Sequence, residues 1–93
     1  MPTTVNKIKS VAVVYGSVPA SFGTLLALGD TYTYNHAIIM STLDTDIVIK
    51  FGDNEINFPA NKDIVFDNFP HNGTLTYKYS SAPSSGSLKV ICF

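Results

Sequence analysis

Short apolar stretches that alternate with a period of two, each closed by a turn signal, commit this chain to β-structure. "DIVIKF" (Asp46–Phe51) sets Ile47, Ile49 and Phe51 on one side of a strand and Val48 and Lys50 on the other. "EINF" (Glu55–Phe58) repeats the pattern with Ile56 and Phe58. "TLTYKYS" (Thr74–Ser80) points Leu75, Tyr77 and Tyr79 one way, and "SLKVICF" (Ser87–Phe93) does the same with Leu88, Val90 and Cys92. "SVAVVYGSV" (Ser10–Val18) and "TYTYN" (Thr31–Asn35) also read as strands. "HAIIMS" (His36–Ser41) is a continuous apolar run of the kind a strand covered on both sides shows. Turn chemistry separates these runs at Leu28–Asp30, Gly52–Asn54, Pro70–Gly73 and Ala82–Ser87. The stretch Pro19–Gly29 holds leucines, but Gly23 interrupts it and no helical stripe forms, so it reads as a crossing loop leading into a strand. The expectation is an all-β fold, an antiparallel β-sandwich of about seven or eight strands with jelly-roll or immunoglobulin-like winding. Its core should draw on Val13, Ile38, Ile47, Ile49, Phe51, Ile56, Phe58, Val65, Leu75, Tyr77, Leu88 and Val90.

A chain of 93 residues fits one domain, assigned here to residues 10–93. Residues 1–9 carry Lys7 and Lys9 with few core residues and read as an N-terminal arm or a first edge strand. A domain this small buries a modest share of its surface, and oligomers often make up the deficit. Charged residues amount to only 14% of the chain, so Ser, Thr, Asn or a neighbouring protein must cover the rest of the surface. All six basic residues are lysines, and without an arginine fork or a lysine cluster nucleic-acid binding is not expected. No apolar run approaches the length of about 18 residues that a membrane span needs, and the N-terminus lacks the apolar core of a signal peptide. The expected site of synthesis is the cytoplasm.

The stretch "DTDIVIKFGDNEINF" (Asp44–Phe58) crowds Asp44, Asp46, Asp53 and Glu55 around a glycine. Such carboxylates are Ca²⁺ ligands in type. In a hairpin, however, Asp44 and Asp46 stand at the open end and Asp53 and Glu55 at the closed end, too far apart to share one ion. Asp and Asn beside Gly are also ordinary turn residues, and the hairpin is the reading adopted, with no metal and no cofactor. His36, His71 and Cys92 are isolated in sequence and lack any metal-ligand or nucleophile–base spacing. Cys92, alternating with Val90 and Leu88, reads as a small core residue. "NGT" (Asn72–Thr74) matches a glycosylation sequon but reads first as a turn entering a strand. The pairs Tyr32/Tyr34 and Tyr77/Tyr79 suit core or subunit-interface positions, or alternatively a sugar-stacking platform.

The run "YNHAIIMSTLDTDIVIKFGDNEINFPANKDIVFDNF" and the terminal "GTLTYKYSSAPSSGSLKVICF" carry a resemblance. An apolar strand enters a polar "ST-DTD" corner, then come an "I-I-F" strand, a hairpin, a "PA" corner, a "V-D" strand and a Ser/Gly-rich loop before the last strand. This order resembles small β-sandwich structural proteins of tailed bacteriophage virions. It covers about two-thirds of the chain, from Tyr34 onward, and leaves the N-terminal third unmatched. The resemblance implies a non-enzymatic virion protein, such as a capsid decoration (auxiliary) protein, a head-fibre component, or a small tail or ring protein. Its partners would be the major capsid protein, other virion proteins or copies of itself in a homo-oligomer, held by the avidity of many weak contacts. Candidate contact residues are Lys7, Lys9 and the segment Pro19–Leu28, with Phe22, Leu25, Tyr32 and Tyr34. The alternative function is a lectin-like carbohydrate-binding attachment module using the tyrosines, with Ca²⁺ at Asp44 and Asp46.

Overall fold

Each alternating stretch forms a strand, and together the strands build two packed sheets. The computed structural model describes residues 8–93. It contains β1 (Lys9–Val14), a 3₁₀ turn (Tyr15–Ser17), β2 (Gly23–Tyr34), β3 (Ala37–Ser41), β4 (Ile47–Phe51), β5 (Asn54–Phe58), β6 (Lys62–Phe66), β7 (His71–Tyr79) and β8 (Ser87–Cys92). One sheet has the order β1-β8-β3-β6 and the other β2-β7-β4-β5, with every pairing antiparallel. The pairs β1–β8, β2–β7, β3–β6 and β4–β5 are those of one long hairpin folded at its midpoint and rolled up. Contacts of β8 with β3 and of β7 with β4 complete the sheets. This winding is a jelly roll, and it selects between the two topologies the sequence allowed.

The midpoint of that long hairpin is the two-residue loop Gly52–Asp53, since Phe51 pairs with Asn54 across it. Gly52 has φ +59 and Asp53 does not have positive φ, the arrangement of a type II′ turn that matches strand twist. The carboxylates of the Asp44–Phe58 stretch therefore stand at opposite ends of a hairpin.

The core lies between the sheets and includes Leu28, Ile39, Ile47, Ile49, Phe51, Phe58, Leu75, Leu88 and Val90. Val13 and Ile56 pack against it from partly buried positions. Cys92 is fully buried, and this burial pushes its thiol up to about 11. Two core assignments need correction: Val65 is 58% exposed and Ile38 only half-buried, because both point away from the opposite sheet.

Three local readings also change. The expected loop and separate strand between Pro19 and Asn35 are largely one continuous strand, β2, bent by register shifts near Leu25 and Gly29. Such bulges let the adjacent residues Leu25 and Leu26 both turn inward, which a regular strand forbids. The expected turn at Pro70–Gly73 mostly belongs to β7, where Gly73 (φ +77) pairs with Gly29 (φ +77). The first strand is shorter than expected, since the chain leaves β1 at Val14 for the 3₁₀ turn. Residues 1–7 of the expected arm lie outside the described residues, while Lys9 begins edge strand β1.

A candidate partner-binding face

The two sheets turn outer faces of different character to their surroundings. On β2-β7-β4-β5 the inward positions are Leu75 and Tyr77 of β7, Ile47, Ile49 and Phe51 of β4, and Phe58 of β5. The alternate positions carry Thr74, Thr76 and Lys78, then Val48 and Lys50, then Glu55 and Asn57. Lys50 stands beside both Glu55 and Thr76. Threonines, charges and an amide make this a water-facing surface.

The outer face of β1-β8-β3-β6 is mixed, with more apolar residues among its polar ones than the other face carries. Here Val11 and Val13, Leu88, Val90 and Cys92, Ala37 and Ile39, and Ile64 and Phe66 face the core. The registers then set the outward residues in cross-strand rows. Ser10, Ile91, Ile38 and Val65 form one row. Ala12, Lys89, Met40 and Asp63 form the next. Beyond the first row His36 lies against Phe93, with backbone bonds in both directions and rings 5.0 Å apart, and its Nδ1 is 3.1 Å from the Asp67 carboxylate. Ile8 (62% exposed) and Val14 (61%) extend the surface at the two ends of β1. A single-copy domain of this size gains nothing by keeping Ile8, Val14, Ile38, Val65, Ile91 and Phe93 on one sheet face in water. Contiguous patches of this kind mark interaction surfaces.

The residues singled out from sequence fall elsewhere. Leu25 and Tyr34 are core side chains, 4% and 2% exposed, and offer no surface to a partner in this fold. Phe22 lies beside the polar sheet, beneath the ammonium groups of Lys50 and Lys78 at 5.3 and 4.9 Å from its ring. Tyr32 is exposed on β2. Lys9 is exposed at the start of β1, on the side of that strand shared by Val11 and Val13. Lys7 lies outside the described residues. In the segment Pro19–Leu28, Leu25, Leu26 and Leu28 are buried, while Ala20, Ser21, Phe22, Thr24 and Ala27 are exposed. The tyrosine pairs do not form a platform: Tyr77 is buried along with Tyr34, its hydroxyl donating to the Ser17 carbonyl at 3.3 Å.

Asp44 and Asp46 act as clips at one end of the sandwich. The Asp44 carboxylate accepts from the Ser84 N–H (2.8 Å), the Ser84 hydroxyl and the Ser85 N–H. Asp46 accepts from the Ala60 N–H at 2.9 Å and from the Asn57 amide, while the Thr45 hydroxyl donates to Ser81. The "DTD" corner thus ties the β7–β8 loop and the β5–β6 corner to the start of β4. The Ser84 hydroxyl, and then the Ser84 and Ser85 backbone, hold the Asp44 carboxyl below its ordinary value of 3.8. A lowered native value means that the anion's contribution is complete above that ordinary value and fades as acidification titrates the native carboxyl. Asp44→Asn should therefore lower the melting temperature at pH 7. The gap to wild type should close as the pH falls below about 3.8. Thermal scans from pH 7 to pH 2 check this, and a gap that does not change with pH would contradict it.

His71, read as a turn residue, is instead a buried member of an aromatic box. Its ring lies 5.4 Å from Phe51 and 5.6 Å from Phe69. Its Nδ1 lies 2.6 Å from the Phe69 carbonyl, which can only accept, so Nδ1 carries the hydrogen. Its buried Nε2 has no hydrogen-bond partner among the described residues. The adjoining cavity, bordered by Phe51, Gly52, Asn54, Phe69, Pro70, His71 and Asn72, measures about 190 Å³. Small-molecule sites usually run from about 300 Å³ upward. No nucleophile or carboxylate lines it beside the histidine, which leaves the more apolar sheet face as the stronger candidate.

No protein-family model matches the chain, and no curated protein matches it.

Proposed function

We propose that this chain is a non-enzymatic structural protein of a tailed-bacteriophage virion. In this reading it is a capsid decoration protein or a head-fibre or tail component that docks on the major capsid protein or another virion protein. The observation that carries the reading is the more apolar outer face of β1-β8-β3-β6, opposite a polar face on the other sheet. A surface of this kind works by burial against other protein and needs no reacting group. The resemblance of Tyr34 onward to small virion β-sandwich proteins points the same way. Two-sheet jelly rolls are used for viral capsid and lectin domains alike, so the winding is a supporting analogy.

The test is co-purification. Phage particles banded on a density gradient, from a culture whose phage encodes this chain, should contain it at a fixed ratio to the most abundant particle protein. It should stay bound in 1 M salt, because apolar burial is not screened as surface ion pairs are. Recovery of the chain only in the soluble fraction would overturn the reading.

A further inference from the structure

We infer that the more apolar outer face of β1-β8-β3-β6 is covered by a second copy of this chain, packed face to face about a two-fold axis that runs along β3. The inference rests on reading that face as an interaction surface, and it does not require docking on the capsid protein or another virion protein.

The row Lys89–Met40–Asp63 selects the occupant. β3 is flanked by β8 on one side and β6 on the other. At a strand spacing of about 4.8 Å, Lys89 and Asp63 stand equal distances either side of Met40, about 10 Å apart. A two-fold axis along β3 exchanges the two flanks. It therefore lays each Lys89 over the Asp63 of the partner copy and sets the two Met40 side chains against each other. The same operation stacks Ile91 over Val65 of the partner copy and Ile38 over Ile38. The apolar outward residues of β8, β3 and β6 in these two rows thus meet apolar residues and the two charges meet their opposites, whereas the adjoining row sets Phe93 over Asp67 of the partner copy. An interface between identical copies must be self-complementary in this sense. Aligned sheets pack with an angle of about 30° between strand directions, which a two-fold axis lying about 15° from β3 supplies.

The overlapping area is modest. Three strands of about 4.8 Å spacing and roughly six residues of about 3.4 Å rise give a footprint near 14 by 20 Å. Interfaces burying less than about 1,200 Å² in total are weak or transient, so self-association is expected only in concentrated protein. Many copies held side by side would raise the effective strength. Ile8 and Val14 of β1 stay at the flank of the pair, available to a further partner.

The two outward charges provide a test that fold stability does not imitate. The variant K89D sets like charges against each other at both ends of the row, and so does D63K. Each should associate about 100-fold more weakly than wild type, because like-charge contacts at an interface cost several kcal/mol. An equimolar mixture of K89D and D63K pairs opposite charges again and should recover dimers at near wild-type strength. So should the double variant K89D/D63K. Sedimentation equilibrium from 5 to 500 µM measures all of these, with circular dichroism confirming that each variant is folded. A wild-type chain that stays monomeric, a trimer, or single variants that dimerise unimpaired would overturn the inference. So would failure of the mixture to recover. A monomer that nevertheless copurifies with particles would leave the virion reading standing while removing the dimer. A dimer absent from particles would do the reverse.

Discussion

Replacing Gly86 with alanine should lower the melting temperature by about 15–30 °C. Gly86 lies in the loop between β7 and β8, where the backbone passes directly against the corner after β3. A Cβ built on it would fall 2.0 Å from the Thr42 carbonyl oxygen and 2.4 Å from the Thr42 carbonyl carbon. Both are backbone atoms and cannot swing aside as a side-chain tip would. The two segments are also fastened on either side of the contact. The Thr42 N–H donates to the Ser87 carbonyl at 2.9 Å, the Ser87 N–H donates to the Thr42 hydroxyl, and the Asp44 N–H donates to Ser85. Relief of the clash must break some of these bonds or move β8 away from β3. Gly86 also has φ +96, a conformation that L-residues adopt only under strain. Backbone strain of about 1–3 kcal/mol and a similar overpacking term together remove about 3–5 kcal/mol. For a domain of this size each kcal/mol shifts melting by about 4–8 °C. Gly52→Ala serves as the control. There φ is also positive but no atom lies within 4 Å, so the loss should be close to 1 kcal/mol. A Gly86→Ala protein that melts like Gly52→Ala would show that the Thr42 corner yields.

The regular strands are legible in the sequence because half-buried strands obey a period of two, as Ile47/Ile49/Phe51 and Leu88/Val90/Cys92 do. The pairing of the two long arms is harder to read, because β1 and β8 meet across most of the chain length. Bulges hide structure in a different way. The doublet Leu25–Leu26 and the glycines at positions 29 and 73 look like a loop and a turn, yet they are the kinks that keep β2 and β7 paired. His71 was illegible because "PHNG" has turn chemistry, yet its histidine joins a core that distant Phe51 and Tyr34 form with neighbouring Phe69.

The candidate face shows a deeper limit. "HAIIMS" has apolar residues on both sides of β3, and a continuous apolar run means that both sides are covered. Sequence does not say by what. Ile39 is covered by the opposite sheet, whereas among the described residues nothing covers Ile38 and Val65 to the same degree. Reading Ile38 and Val65 as core recognised their apolar character but not that they face away from the opposite sheet. An interface face and a core face have the same composition where both are meant to be buried.

Phe58 and Val65 separate those two kinds of burial by experiment. Both sit on edge strands and both read as core in the sequence, although Phe58 alternates with polar residues while Val65 is flanked by Ile64 and Phe66. Phe58 is fully buried at the end of β5 and pairs with Ile47 across the hairpin. On β5 exposed Asn54 and partly buried Ile56 share its side, so Phe58 is the main apolar anchor holding that edge strand on the core. Phe58→Ala removes the ring from a site that the surrounding strands cannot close. It should cost about 3–5 kcal/mol, the range for aromatic-to-alanine changes in a core. Val65 points outward from β6 beside Ile38, and Val65→Thr keeps the branched shape that suits a strand. It should therefore change monomer stability by no more than about 0.5 kcal/mol, as surface substitutions do. Urea unfolding at 1 µM, well below the expected association range, measures both. The same Val65→Thr protein at 500 µM should melt below wild type, because a ligand that binds only the folded state stabilises it by mass action, and here the ligand is the second copy. A concentration-independent difference between Val65→Thr and wild type would place the valine in the monomer's own core energetics. A difference that appears only as the chain is concentrated identifies this residue's partner as another molecule.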